Sequence, residues 1–471
     1  MKTMLRKQIQ QYLDEDIYPL HMPGHKRRLF PEEDLPYAWD MTEIEGMDNL
    51  HHAEGILKEA MDRTASLCGS DQTWYLVNGS TAGNLAGIFA LTHQNDEIIM
   101  ARNCHKSLFH AVQLRNLKVH WIMPETERSF EIAGSADPAT VKQALEQYPN
   151  SKAVVLTSPT YEGVISDIHA IADICHKKDV PLFVDEAHGA HLGLFPEFPD
   201  GAIHSGADLA VQSYHKTLPS LTQTAVLHKK GKLVSPKRVE QALDIFETSS
   251  PSYPLMVSLD ACTEYLLKEG KEDFRNWKNK LRKFDDTLSL KHMHVLCHEN
   301  DTPEQHHFFD YDPGKILVHS NCIHGSKLQE ILRKDYHFEL EMSIGNNVLA
   351  MTSPADEEDK LLLFAKALHE IDSSLKETDK KEHSFSYILP EQEKTIADAI
   401  EGSSRILPLK ESVNHISHEC IYCYPPGIPL ITPGEVISED LLNQIQLLKK
   451  TDTRLYFSES SDDTESVSVC C

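Results

Sequence analysis

The chain has 471 residues, of which 40% are hydrophobic, 25% charged and 7% aromatic, a balance that fits a globular protein and excludes disordered, fibrous and membrane-spanning classes. Lys and Arg number 46 against 72 Asp and Glu, a net charge of −26, which opposes binding to nucleic acid and to anionic lipid. Ten cysteines are too sparse for a disulfide scaffold, so they read as reduced thiols.

The N-terminal MKTMLRKQIQQYLDEDIYPL is too charged for a signal peptide, and no window reaches the roughly 18 apolar residues of a membrane span. The expected location is the cytoplasm. From residue 74 to 234, apolar runs alternate with amphipathic stretches: WYLV (74–77), EIIM (97–100), VHWIM (119–123), AVVLT (153–157), VPLFVD (180–185), ADLAVQS (207–213) and TAVLHK (224–229). Helices are predicted between them over 80–92, behind a Ser/Thr cap, over 137–148, with Asp137 then Pro138, and over 167–178 from Asp167. This alternation predicts a mostly parallel sheet with helices on both faces.

A helix around 254–285 leads into a smaller α/β or α+β domain, marked by KILVHS (315–320), VLAMTS (348–353) and charged helices at 325–335 and 356–374. KETDKKEHS (375–383) reads as a solvated charge run. FSESSDDTESVSVCC (457–471), with four acids and no base, reads as a disordered tail. The expected division is an N-terminal arm over 1–50, a large domain over 51–285, a small C-terminal domain over 286–456 and the acidic tail over 457–471.

Three segments fall at predicted strand ends, where open α/β sheets place their ligands. Asn78-Gly-Ser-Thr-Ala-Gly-Asn84 opens a helix and offers backbone N–H groups, the Ser80 and Thr81 hydroxyls and a helix dipole to a phosphate; an ordinary capped helix start has the same residues. Val184-Asp-Glu-Ala-His188 ends a strand in a carboxylate. DEAH also marks helicase-type ATPases, but those need GxxxxGK[ST], and no GKS or GKT occurs. Ser213-Tyr-His-Lys-Thr217 places Lys216 at a strand end, where burial lowers its pKa and frees the amine for a Schiff base. A phosphate cradle, a carboxylate and such a lysine together match what pyridoxal phosphate requires.

SYHKTLPSLTQTA (213–225) resembles the cofactor-lysine signature of the prokaryotic ornithine/lysine/arginine decarboxylases. HMPGHK (21–26), DMTEIEGMDNLHHAEGIL (40–57), NGSTAGN (78–84), ARNCHKS (101–107), SPTYEGV (158–164), VDEAHGAH (184–191), TSSPSYPLM (248–256) and YPPGIPLITPGE (424–435) resemble blocks of the same family. The resemblance implies a pyridoxal-phosphate-dependent, fold type I architecture, with a mostly parallel α/β sheet and a smaller C-terminal α/β domain. It implies that Lys216 forms the Schiff base and that Asp185 pairs with the pyridine nitrogen. Ser80 and Thr81 would hold the phosphate with Ser213 and His215. His105 would stack on the ring opposite Ala187, His188 would lie near the 3-oxygen, and Ser249 and Ser250 would reach the phosphate of a neighbouring subunit.

The implied activity is decarboxylation of arginine, lysine or ornithine, feeding polyamine metabolism, in a homodimer with shared active sites. HMPGHK and TEIEG would help close the site. Because HMPGHK starts at residue 21, the chain reads as a short form without the family's N-terminal wing domain. Its phosphate loop reads Gly-Ser-Thr-Ala-Gly where several members have Gly-Thr-Ser runs.

An aminotransferase or another lyase of the same fold is the alternative, with Arg333, Arg405 and Arg454 as candidate carboxylate clamps. A non-catalytic regulatory homologue is the alternative from another class, against which an intact Lys216 counts. Substrate-reading acids are sought among Glu43, Glu45, Asp48 and Glu435. No metal site is expected: His415, His418, Cys420 and Cys423 lie too close together in sequence to wrap a tetrahedral ion, and a strand there sends the two cysteines to opposite faces. His292, His294, His306 and His307 read as exposed polar residues.

Overall fold

The structure, a computed structural model, describes residues 15, 17–20, 48–298, 301–376, 388–423, 428–449, 455–459 and 465–471. HMPGHK, TEIEG with Glu43 and Glu45, most of the charge run at 375–383, Tyr424–Gly427 and Arg454 lie outside the described residues.

All seven expected strands form one sheet: β1 (Gln72–Leu76), β2 (Glu97–Ala101), β3 (Lys118–Ile122), β4 (Val154–Thr157), β5 (Leu182–Asp185), β6 (Leu209–Gln212) and β7 (Ala225–Lys229). Their order is β1-β7-β6-β5-β4-β2-β3. Every neighbour pair is parallel except those of β7, which runs antiparallel to both β6 and β1. Continuous Val/Ile/Leu runs produce this because both faces are covered by helices, and β4 through β7 are buried almost throughout.

The helices start where their caps predict. The Asp137 carboxylate accepts from the N–H groups of Ala139 and Thr140 at the head of α4 (Pro138–Gln147), and Asp167 accepts from Ala170 at the head of α5 (Ile168–His176). Between β1 and β2 lies α2 (Gly79–Leu91), preceded in the chain by α1 (Ile56–Cys68). A Cβ on Gly83 would stand 2.6 Å from Val211 and 2.7 Å from Leu76, so glycine lets α2 lie directly on the sheet and carries its first turn over the ends of β1 and β6.

Between β2 and β3 runs α3 (Lys106–Arg115). After β7 come α6 (Pro236–Phe246), α7 (Tyr253–Tyr265) and α8 (Lys271–Thr287). The single helix expected around 254–285 is α7 and α8 joined by a π-helical turn at Leu266–Gly270. A four-stranded sheet follows, with β8 (Met293–Val295), β9 (Lys315–Ser320), β10 (Met342–Ile344) and β11 (Asn347–Met351) in the order β8-β9-β11-β10. It is backed by α9 (Gly325–Tyr336) and α10 (Glu358–Ser374), and its core is continuous with that of α1, α7 and α8. Of the N-terminal arm, Tyr18–Leu20 pairs in parallel with Phe338–Leu340, and the Tyr18 hydroxyl donates to Asp356 at 2.6 Å.

Two expectations are corrected here. The stretch 286–456 is not one small domain, because beyond α10 a separate apolar cluster forms around Leu409, Ile421, Ile431, Leu441, Ile445, Val467 and Val469. It contains β12 (Ser404–Pro408), β13 (Ile421–Cys423), β14 (Ile428–Ile431), α11 (Glu439–Lys449) and β15 (Leu455–Phe457). The tail is not disordered throughout, because β16 (Ser466–Cys470) pairs antiparallel with β12. Val467 and Val469 are fully buried on one face, and Ser468 and Cys470, which alternate with them, are buried on the other.

This last unit is tied to the large domain by a buried ion pair. Arg102, just past β2, donates to Glu435 at 2.8 Å, with both side chains at 1% exposure or less. The guanidinium also lies 4.9 Å from the Trp121 ring centroid. Arg102→Ala leaves the Glu435 carboxylate buried without its cation, so urea unfolding of the variant should show a loss of about 3–5 kcal/mol. A loss below about 0.5 kcal/mol would dismiss the pair as a structural tie.

Candidate active site

The parallel strands deliver the candidate residues to one sheet edge, because β2, β4, β5 and β6 all end on that side. Asp185 is the last residue of β5 and is buried. One of its oxygens accepts from Asn84 Nδ2 at 2.8 Å and the other from the Ala187 N–H at 3.1 Å. Burial raises the Asp185 pKa, while the Asn84 hydrogen bond and the charge of Lys216 oppose that rise. Asn84 reaches Asp185 from the inner face of α2 and also donates to Ser107 Oγ at 2.9 Å. Ser107 in turn meets His105 Nδ1 at 2.9 Å, so one hydrogen-bonded chain orders Asp185, Asn84, Ser107 and His105.

Lys216 occupies the one-turn helix Tyr214–Thr217 that follows β6. Its Nζ lies 2.6 Å from His188 Nε2. Desolvation of the amine outweighs the pull of Asp185 and Glu341 and takes the Lys216 pKa down to about 8. Burial, together with the positive charge of Lys216, also keeps the imidazoles neutral: His105 is pushed down to about 3, and His188 falls well below its ordinary value. The Lys216 ammonium therefore donates to His188 Nε2, which places the His188 proton on Nδ1. Tyr161 packs its ring 4.4 Å from the His188 ring, and its hydroxyl donates to Glu341 at 2.5 Å.

The loop entering α2 is the third component. Gly79 has φ +75° and makes the turn. Asn78, at the N-cap, makes no cap bond and instead donates to the Phe246 carbonyl. The first turn of α2, with Ser80 partly exposed and Thr81 exposed, is thus left without a side-chain cap. Below it, Glu247 accepts from the N–H groups of Val77 and Asn78 at 3.0 and 3.2 Å, and burial pushes its pKa up to about 7. Ser213 is buried beside Lys216, and His215 Nδ1 lies 2.9 Å from the Thr224 carbonyl. Ser249 and Ser250 are exposed immediately beyond Glu247, which brings their loop beside the phosphate loop of the same chain.

These residues fit pyridoxal phosphate. Ser213 Oγ and His188 Nδ1 are buried without a hydrogen-bond partner among the described residues, which is costly unless a ligand completes them. The uncapped helix start suits a phosphate, and the lysine with a lowered pKa and the buried, positioned carboxylate suit the aldehyde and the ring nitrogen.

Lys216, Asp185, His188, His105 and His215 lie close enough for their charges to act within one cluster, with the Ala187 N–H hydrogen-bonded to Asp185 and Ser213 buried three residues before Lys216. The two substrate-reading candidates among the described residues, Asp48 and Glu435, are engaged elsewhere. Asp48 accepts from Gly55 and Leu57 N–H groups at the head of α1, and Glu435 belongs to the Arg102 pair. Of the clamp candidates, Arg333 pairs with Glu339 and Arg405 with His415 at the surface. His415 and His418 do not converge on a metal site among the described residues, since His418 pairs with Glu459 at 2.8 Å. The expectation for histidines holds for His294 and His307, which are exposed, but not for the half-buried His292 and His306. Asn84, Tyr161, Glu247 and Glu341 were missed. Asn84 left a signal, as a polar residue on the apolar face of the 80–92 helix, and Tyr161 lies in the SPTYEGV block; Glu247 and Glu341 left none.

Comparison with known proteins agrees with this geometry. The family model described as Orn/Lys/Arg decarboxylase, major domain, matches residues 3–360, and its C-terminal domain matches 378–455. An arginine decarboxylase of Bacillus subtilis (strain 168) is 32% identical over 476 residues, covering 98% of this chain and 96% of the relative. One from Bacillus anthracis is 31% identical over 448 residues, covering 90% and 89%. Among solved structures, the Francisella novicida lysine decarboxylase LdcF superposes with TM-score 0.76 at 19% identity, over 99% of this chain and 83% of that one. Near-complete coverage by both family models, over a strand-end lysine and carboxylate suited to the cofactor, places the chain in the Orn/Lys/Arg decarboxylase family as a pyridoxal-phosphate-dependent amino-acid decarboxylase.

Proposed function

We propose that the substrate is arginine, which loses its carboxylate as CO₂ and gains a proton at Cα to give agmatine, an entry to polyamine metabolism. The observation that carries this reading is that three relatives more than 30% identical, each covered over 89% or more of its length, are named arginine decarboxylases. The Pseudomonas aeruginosa lysine decarboxylase LdcA is 26% identical and is covered over 37% of its length.

In this reading Lys216 would hold the cofactor covalently and Asp185 would pair with its ring nitrogen. Ser80, Thr81, Ser213 and His215 would hold the phosphate. His105 and Ala187 would contact the ring, and His188 would lie near the 3-oxygen. Bound pyridoxal phosphate supplies the electron sink for the bonding pair released from the Cα–carboxylate bond. Asp185, whose carboxylate accepts from Asn84 and the Ala187 N–H, would stabilise positive charge on the ring. Lys216, 2.6 Å from His188, carries the proton delivered to Cα after CO₂ leaves.

Arg333 and Arg405, the described candidates for an aminotransferase's carboxylate clamp, are engaged by Glu339 and His415 at the surface, and this favours the decarboxylase over the alternative. The test is CO₂ release from labelled arginine, lysine and ornithine. Arginine should exceed the others at least tenfold in kcat/KM. Faster lysine or ornithine turnover overturns the substrate, and keto-acid accumulation without CO₂ overturns the reaction.

The lowered Lys216 pKa sets a pH dependence. Only the free amine attacks an aldehyde, so the rate of covalent cofactor uptake by apoprotein should rise about tenfold per pH unit below about 8 and level off above it. A profile that keeps rising toward pH 10 would show an unperturbed lysine. A homodimer is supported by the exposed Ser249–Ser250 loop and by Ile245, 66% exposed at the end of α6. The cytoplasmic assignment is supported by the free cysteines among the described residues.

A further inference from the structure

Away from Lys216, the segment between β8 and β9 brings a thiol, a carboxylate and an imidazole together. Cys297, Asp301 and His306 place donor atoms within 4.8 Å of one another. His306 Nε2 lies 2.7 Å from Asp301 Oδ1, and Asp301 Oδ2 accepts from the Cys297 N–H at 2.8 Å. The Cys297 backbone is left-handed, with φ +55°, a conformation that costs free energy in a residue other than glycine.

The opposite nitrogen of the imidazole is also engaged. His306 Nδ1 meets Glu127 Oε1 at 3.1 Å. Glu127 is itself fixed, accepting from the Phe130 N–H at 2.7 Å and from Ser129 Oγ at 2.8 Å. Rings on two sides hold the imidazole plane, with Phe130 edge-on at 5.5 Å and Phe308 stacked at 5.6 Å. The 3₁₀ helix Pro303–His306 that carries the histidine is ordered by a Thr302/Gln305 capping box. A histidine oriented through one nitrogen by a carboxylate, with the other facing a thiol and a second carboxylate, is the arrangement metal sites use to set tautomer and ligand basicity.

We propose that Cys297, Asp301 and His306 Nε2 bind one borderline-soft divalent cation of the zinc class, with water in the fourth position and Glu127 as the outer carboxylate. Thiolate, imidazole and carboxylate donors select this class over magnesium or calcium. Tetrahedral binding at about 2.0–2.3 Å per ligand brings the donors to roughly 3.5 Å from one another, a small contraction of the present cluster. Binding releases two protons to solvent, that of the thiol and the one that His306 Nε2 donates to Asp301. It also relieves the field of Asp301, Asp310, Glu304 and Glu127, the carboxylates that, with burial, keep the thiol protonated. Glu127 belongs to the hairpin of Thr126–Glu127 and Ile132–Ala133 between β3 and α4, whereas the three ligands follow β8, so the cation ties the small sheet to the large domain.

Cobalt titration of the metal-free enzyme with its cofactor bound tests this. One equivalent should bind and produce an intense near-ultraviolet thiolate-to-cobalt band; Cys297→Ser should abolish the band, and Cys322→Ser should leave it. Glu127→Gln, which keeps the cysteine and the shape of the side chain, should weaken cobalt binding 10- to 100-fold. No saturable one-equivalent binding, a band that persists in Cys297→Ser, or unchanged affinity in Glu127→Gln overturns the site. Should Cys297→Ser fail to fold, the wild-type titration and Glu127→Gln decide.

Discussion

Lys216→Ala should lower CO₂ release from arginine by at least about 10³-fold and should abolish the visible absorbance that the protein shows with pyridoxal phosphate. No neighbour can substitute. His188, 2.6 Å away, is held neutral by burial and has no primary amine, and Lys315, although its charge reaches His188, stands on β9 of the small sheet rather than at the end of β6. The variant should stay folded, because removing an amine that burial already penalises relieves a desolvation cost. Retention of more than a tenth of wild-type kcat, in a preparation free of wild-type enzyme, would remove Lys216 from the reaction.

Asp185→Asn comes second in expected size. The substitution keeps the shape and removes the charge. An amide at 185 can still accept from the Ala187 N–H, and Asn84, whose Oδ1 has no partner among the described residues, can turn over to accept from the new Nδ2. Stability should therefore change little, while loss of a buried charge aimed at the ring should cost about 10²–10³ in kcat with a smaller change in KM. A kcat within threefold of wild type would show that the carboxylate is structural. Asn84→Ala separates the roles further: it leaves the Asp185 charge in place but removes its bond to Asn84 and the link to Ser107 and His105, so its activity should fall between the two.

The sequence by itself determined the large sheet and which strand ends carry the candidate reacting residues. Strands buried on both faces must be apolar runs, and Asp137 and Asp167 mark helix starts through a hydrogen bond made within three residues of the cap. Lys216 and Asp185 stood out because a charged residue directly after such a run lies at a sheet edge, where it is buried and reactive. The tertiary structure alone decided the remainder. Glu341 reaches Tyr161 and Lys216 from a different sheet, Glu435 leaves the list of substrate-reading acids because it meets Arg102 across 333 residues, and β16 is ordered because Ser404–Pro408 offers it an edge. Hydrogen bonds and ion pairs between distant segments carry no local pattern, since their geometry follows from how sheets and helices pack. Periodicity therefore discloses which elements form and which strand ends are chemical, while partners drawn from different elements emerge only once those elements have been packed together.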